Sequence, residues 1–126
     1  MRELTIVTEN KVGALADICE ALGNNGINIS SISAHGYRDK GVVRLVTSDE
    51  KSARNALEKL GVNVTVGDLL IVTIPDKPGE LAKLTRKLSN SGVNIDGIYL
   101  LGKANGNLEV GISAEDNARA SCAVRK

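Results

Sequence analysis

Two stretches of the chain carry the residue types needed to hold a small charged molecule. "TIPDKPGEL" at residues 73–81 and "TENKVGAL" at residues 8–15 each pass from a β-rich run through a short loop into a helical pattern. In the later stretch Asp76 stands where a helix N-cap is expected. Pro78 suits a first helical turn, because its missing N–H has no partner there, and Gly79 lets the backbone approach a neighbour closely. Asn10, Val12 and Gly13 hold the same places in the earlier stretch. A helix start presents unpaired amide N–H groups, which suit a carboxylate. Asn28 and Asn94, at the starts of the strands that follow, are expected close to these loops, and an amide side chain both donates and accepts. A free amino acid needs donors for its carboxylate and acceptors for its ammonium group, and this set supplies both. The same residues are also ordinary capping and turn chemistry, and spacing alone favours that plainer reading without removing the other.

No other constellation competes. His35 is the single histidine and has no nucleophile at a telling spacing, so it reads as a strand-end residue that could reach a ligand seam. Cys19 lies on an apolar helical stripe and Cys122 aligns with Leu57, so both read as packing residues; they form no CxxC motif. Tyr37 and Tyr99 read as core or rim, and Arg54 and Arg119, aligned on the second helices, as solvated faces. No catalytic residue, metal cluster or cofactor motif stands out, which argues against an enzyme. An RNA-recognition module would stack bases on sheet aromatics, whereas aromatic residues are 2% of this chain and the net charge is +1.

The elements that position these loops come from an internal duplication. Residues 11–36 match residues 77–102 without a gap at 11 of 26 positions, where about one or two would arise by chance. Each copy reads as a β-run, a helix ("Leu15, Ile18, Cys19, Leu22" or "Leu81, Leu84, Leu88" on one face), a second strand, a Gly-containing turn (Lys40-Gly41 or Asn105-Gly106), a third strand and a second helix. Gly26 and Gly92 suit the left-handed position past the first helices. The first copy adds a strand, "VNVTV", at 62–66. The economical solution is an α+β fold of two tandem ferredoxin-like βαββαβ units, each an antiparallel sheet with helices on one face, the second lacking a clear fourth strand. The expected domains are 1–66 and 67–126. The missing strand leaves Leu69–Ile74 as an apolar edge, to be covered by strand 62–66 or by a second chain. "IYLL" at 98–101 is apolar on both alternating faces, so its second face is expected to meet the other copy or a partner subunit.

Composition sets the bounds. The chain has 126 residues, 42% apolar and 25% charged, in the range of a globular protein. No apolar run reaches the roughly 20 residues that span a bilayer, and "MRELTIVTEN" lacks the apolar core of a signal peptide, so cytoplasmic residence without nucleic acid or membrane as partner is the expectation.

A duplicated β-α-β-β-α unit, a D-x-P-G loop at the first strand–helix junction and "G-V-N-I" opening the second strand together resemble the ACT domains, small regulatory modules that bind amino acids. The resemblance covers nearly the whole chain as two copies. It implies a non-catalytic regulatory protein, without cofactor, that binds a small amino acid at the interface between paired units. The uncovered edges lead to the expectation of a homodimer, and a metabolic enzyme is one candidate for the controlled partner. The ligand contacts that the resemblance implies are Asn10, Val12, Gly13 and Asn28, and Asp76, Pro78, Gly79 and Asn94. "TEN" before Lys11 also resembles the Asn-bearing loop of serine-sensing members, whereas Thr8 and Val12 stand where those members often have histidine and proline. The competing expectation is a ligand-free regulatory or structural subunit that dimerises or docks on an enzyme.

Overall fold

The computed structural model describes residues 2–125. Eleven elements follow in order. They are β1 (Arg2–Glu9), α1 (Ala14–Asn24), β2 (Ile29–Tyr37), β3 (Lys40–Thr47), α2 (Glu50–Leu60), β4 (Asn63–Asp68), β5 (Leu70–Pro75), α3 (Glu80–Asn90), β6 (Ile95–Ala104), β7 (Asn107–Ala114) and α4 (Asn117–Val124). The chain divides into two compact units between Gly67 and Asp68.

In unit 1 the strand order is β2-β3-β1-β4. Both β1 and β2 run antiparallel to β3, from Glu3↔Val46 to Glu9↔Lys40 and from Ile29↔Thr47 to Tyr37↔Lys40. Period-2 burial sends Leu4, Ile6, Val43 and Leu45 to one face, where they meet Ile18, Leu22, Ala53 and Leu57 of the two helices. Val62, Val64 and Val66 pack against the same cluster. This is the ferredoxin-like arrangement expected from the element order.

Unit 2 repeats it with three strands in the order β5-β7-β6. Ile74, Leu108, Val110 and Ile112 face Leu84, Leu88, Ala120 and Ala123. Strand β4 lies beside β1 as the fourth strand of unit 1 and is not a strand of the unit 2 sheet. Among the described residues, β5 and β6 are the two edges of this sheet.

Helix ends follow their glycines. Gly26 and Gly92 take φ of 68° and 73°. Ile27 N–H donates to Leu22 O and Val93 N–H to Leu88 O, both at 3.0 Å, which closes a Schellman motif after α1 and α3. The buried side chains of Ile27 and Leu22, and of Val93 and Leu88, sit at the ends of these bonds. The first hairpin departs from expectation: its tip is Arg38-Asp39, with Arg38 at φ 56°, and Lys40 and Gly41 already belong to β3. Asn105-Gly106 forms the second tip with both residues at positive φ, as a type I′ turn requires.

The second helices correct two alignments. Their caps are Asp49, accepting from the Ser52 amide at 3.1 Å, and Asp116, accepting from the Arg119 amide at 3.0 Å. With the caps setting the phase, Ala120 and Ala123 take the core places of Ala53 and Ala56. Cys122 is therefore exposed rather than packed, and Arg54 and Arg119 do not share a slot. Cys19 is half-buried and both thiols are free.

Candidate functional site

The strand–helix loops do not form as N-capped starts. Helix α1 begins after Gly13 and α3 after Gly79, at φ 88° and 87°, and neither start has a side-chain cap. Ala14 N–H donates to Lys11 O at 3.2 Å and Glu80 N–H to Lys77 O at 3.3 Å. A four-residue turn with glycine at positive φ in its third place, and proline or valine in its second, is a type II turn. Pro78 thus stands in the turn rather than in the helix, and Asp76 lies outside the cap position. The first helical bonds run from Asp17 to Gly13 O and from Lys83 to Gly79 O. The amides of Leu15 and Ala16, and of Leu81 and Ala82, are left without a helical partner, which keeps the anion-binding character expected of these starts.

Asn10 and Asp76 are tied to the neighbouring hairpins by their backbones, Asn10 N–H donating to Asp39 O and Asp76 N–H to Gly106 O, both at 2.9 Å. Their side chains diverge. The Asn10 amide lies over Gly36 and its Nδ2 donates to Arg38 O at 2.9 Å. That leaves Oδ1 as the atom able to accept from a ligand. The Asp76 carboxylate instead faces the Lys103 ammonium at 3.4 Å, with both side chains largely exposed.

Beside the first loop is a cavity of about 220 Å³, lined by Thr8, Glu9, Asn10, Lys11, Ala14, Leu15, Ala34, His35, Gly36, Gly41 and Val43. It brings Asn10 together with the start of α1. Val12 and Gly13 shape the turn without lining it, and Val12 is fully exposed. His35 does reach it. Sequence reading missed Ala34, Gly36 and Gly41, because only the β1–β3–β2 register carries them to residues near position 10.

Asn28 and Asn94 are not close to the loops of their own units. Both β1 and β2 run antiparallel to β3, so β2 starts at the end of the sheet opposite the β1–α1 loop. At about 3.3 Å per residue, Asn28 stands roughly 25 Å along β2 from Gly36. Asn94 instead lines a polar depression with Glu115, Asp116, Asn117 and Arg119 at the far end of unit 2, its Nδ2 donating to Asp96 at 3.2 Å. The remaining aromatic residues stay apart from the loops' chemistry. Tyr37 is exposed under the Arg38 guanidinium, 5.3 Å from the ring centre, and Tyr99 is buried. No helix among the described residues is long and apolar enough to cross a membrane.

A family model described as an ACT domain pair matches residues 1–124 of the chain. Among solved structures, the protein BT0572 of Bacteroides thetaiotaomicron is 30% identical, with a TM-score of 0.87 over 98% of this chain and 85% of that one. The regulatory subunit of aspartate kinase from Thermus thermophilus, in its ligand-free form, is 21% identical with a TM-score of 0.73 over 98% and 90%. The corresponding subunit from Thermus flavus is 21% identical with a TM-score of 0.66, again over 98% and 90%. Comparison with curated protein sequences gives no match.

Proposed function

Because the chain belongs to the ACT domain pair family, we propose that it is a non-catalytic regulatory protein that senses a small amino acid and acts through a protein partner. The observation that carries this reading is the cavity at the β1–α1 loop. There Asn10 meets the uncapped start of α1 beside Ala34, His35 and Val43. Amide N–H groups suit a carboxylate, and Asn10 Oδ1 suits an ammonium group.

One loop alone is too weak. A helix N-terminus contributes about 0.3–1 kcal/mol to an anion, or about 2 when partly buried, whereas micromolar binding needs about 8 kcal/mol. Further groups must close over the ligand. If Asn28 or Asn94 is among them, the strand direction requires it to come from a different unit, turned end for end. We assign that role to a second copy of the chain. The open edge strand β2 carries exposed Ile32, and β6 carries exposed Ile98 and Leu100. Apolar side chains beside an unpaired strand edge form a template for another chain.

The test is thermal melting of the full chain with each of the twenty amino acids at millimolar concentration. Ligand at a hundredfold its Kd adds about 2.7 kcal/mol, hence a rise of several degrees for the one or few that bind. A flat response to all twenty overturns the sensing role and favours the ligand-free docking subunit, for which the same exposed edges would serve.

A further inference from the structure

The two units put side chains of different size at the same ladder positions. Thr8 lies opposite Gly41, Gly36 opposite Gly41 on the other side, and Ala34 opposite Val43. Counting from the hairpin tips, the equivalent pairs in unit 2 are Ile74 with Leu108, Lys103 with Leu108, and Leu100 with Val110. The bulge between Leu100 and Gly102 shifts Lys103 onto the place of Gly36, although the ungapped sequences align Gly36 with Gly102. The cavity walls Thr8, Ala34, Gly36 and Gly41 are therefore replaced by Ile74, Leu100, Lys103 and Leu108, every one larger.

The loop residue changes in step. A Cβ on Gly36 would stand 2.6 Å from Asn10 Oδ1, so the glycine is what lets Asn10 lie over the strand. In unit 2 the Asp76 carboxylate turns to Lys103 instead. The Asp76 carboxylate is thereby engaged by an ammonium group, while the Asn10 amide stays neutral beside the Glu9–Lys11 ion pair.

We propose that the chain carries one amino-acid site, in unit 1, and that the matching loop of unit 2 is filled and binds none. This rests on the sensing role proposed above and adds which loop performs it. The cavity volume of about 220 Å³ lies below the roughly 300–1,000 Å³ of sites for drug-sized ligands. It has room for one free amino acid; glycine, alanine, serine and threonine are the first probes, followed by the other sixteen.

Isothermal titration of the full chain with glycine, L-alanine, L-serine and L-threonine tests this. One or more should bind at one equivalent per chain. Ala34→Leu, which imports the unit 2 residue, should weaken binding at least tenfold. Residue 34 is exposed, as is Leu100 at the same place in unit 2, so the variant should fold. Gly36→Ala should have a similar effect by displacing Asn10, while Lys103→Ala should leave binding unchanged. Two equivalents per chain, wild-type affinity in Ala34→Leu, or loss in Lys103→Ala would each overturn the single-site assignment. Failure of all twenty amino acids to bind would instead remove the sensing role itself.

Discussion

At the scale of single residues, the loops show how one turn type replaces the expected cap. Asp76 and Pro78 read as a helix start because both are favoured there. The glycine three residues past Asn10 and past Asp76 decides otherwise, since a positive φ in the third place of a four-residue turn closes the chain before the helix begins. Pro78 is then the preferred second residue of that turn, and Val12 is a tolerated one. Val12 is fully exposed, and its amide takes no part in the turn and loop hydrogen bonds of the described residues. Val12→Pro should therefore stabilise the chain by about 0.4–1 kcal/mol, chiefly by restricting the unfolded state. Chemical denaturation would show this as a higher midpoint at unchanged slope; a lower midpoint would mean that the first turn is not built like the second. The Asn10–Gly36 contact had no sequence signal, because nothing local links positions 10 and 36. It exists because the glycine leaves space across a strand pair.

At the scale of elements, most of the fold was legible and the reasons are specific. Two-residue periodicity in β1, β3, β5 and β7 and the glycines after α1 and α3 placed strands and helix ends correctly. The phase of the second helices was misjudged because alanine-rich stretches slide easily against one another, and the caps that fix the phase, Asp49 and Asp116, lie 67 residues apart while the first helices repeat at 66. The expected proximity of Asn28 to its own loop failed on strand direction, which no single segment reveals. The cap at Asp49 also has a measurable signature. Hydrogen bonds from the Ser52 side chain and then its amide hold the Asp49 carboxyl below its ordinary value. A lowered folded value means that the ionised form favours the fold. Its contribution is present above the unfolded value near 3.9 and is lost as pH falls through that value and below. Asn also caps well, so Asp49→Asn should be close to the wild type in cap strength while lacking this pH response. Acid titration of stability should show the wild type losing stability relative to Asp49→Asn below about pH 4. Parallel acid limbs in the two proteins would exclude an ionised cap.

At the scale of the whole molecule, the open edges call for association. A unit of about 60 residues buries only about 60% of the surface its unfolded chain exposes, which leaves little stability in hand. Each unit also keeps a strand edge that carries exposed apolar side chains: Ile32 on β2, and Ile98 and Leu100 on β6. No lysine interrupts β2, the usual device by which natural sheets keep an edge from pairing, and the lysine of β6, Lys103, lies near its hairpin end. The net charge of +1 sets no long-range repulsion against a second copy. Sedimentation should therefore report a dimer or larger assembly, with a melting temperature that rises with protein concentration. Ile32→Lys and Leu100→Lys place a charge on the two edges at positions already exposed in the single chain, so they should leave the fold intact and shift the assembly toward monomer. If sensing requires groups from two copies, the same substitutions should weaken amino-acid binding in proportion to the loss of dimer. A wild-type chain that stays monomeric at every concentration and still binds its ligand would show that one copy encloses the site alone.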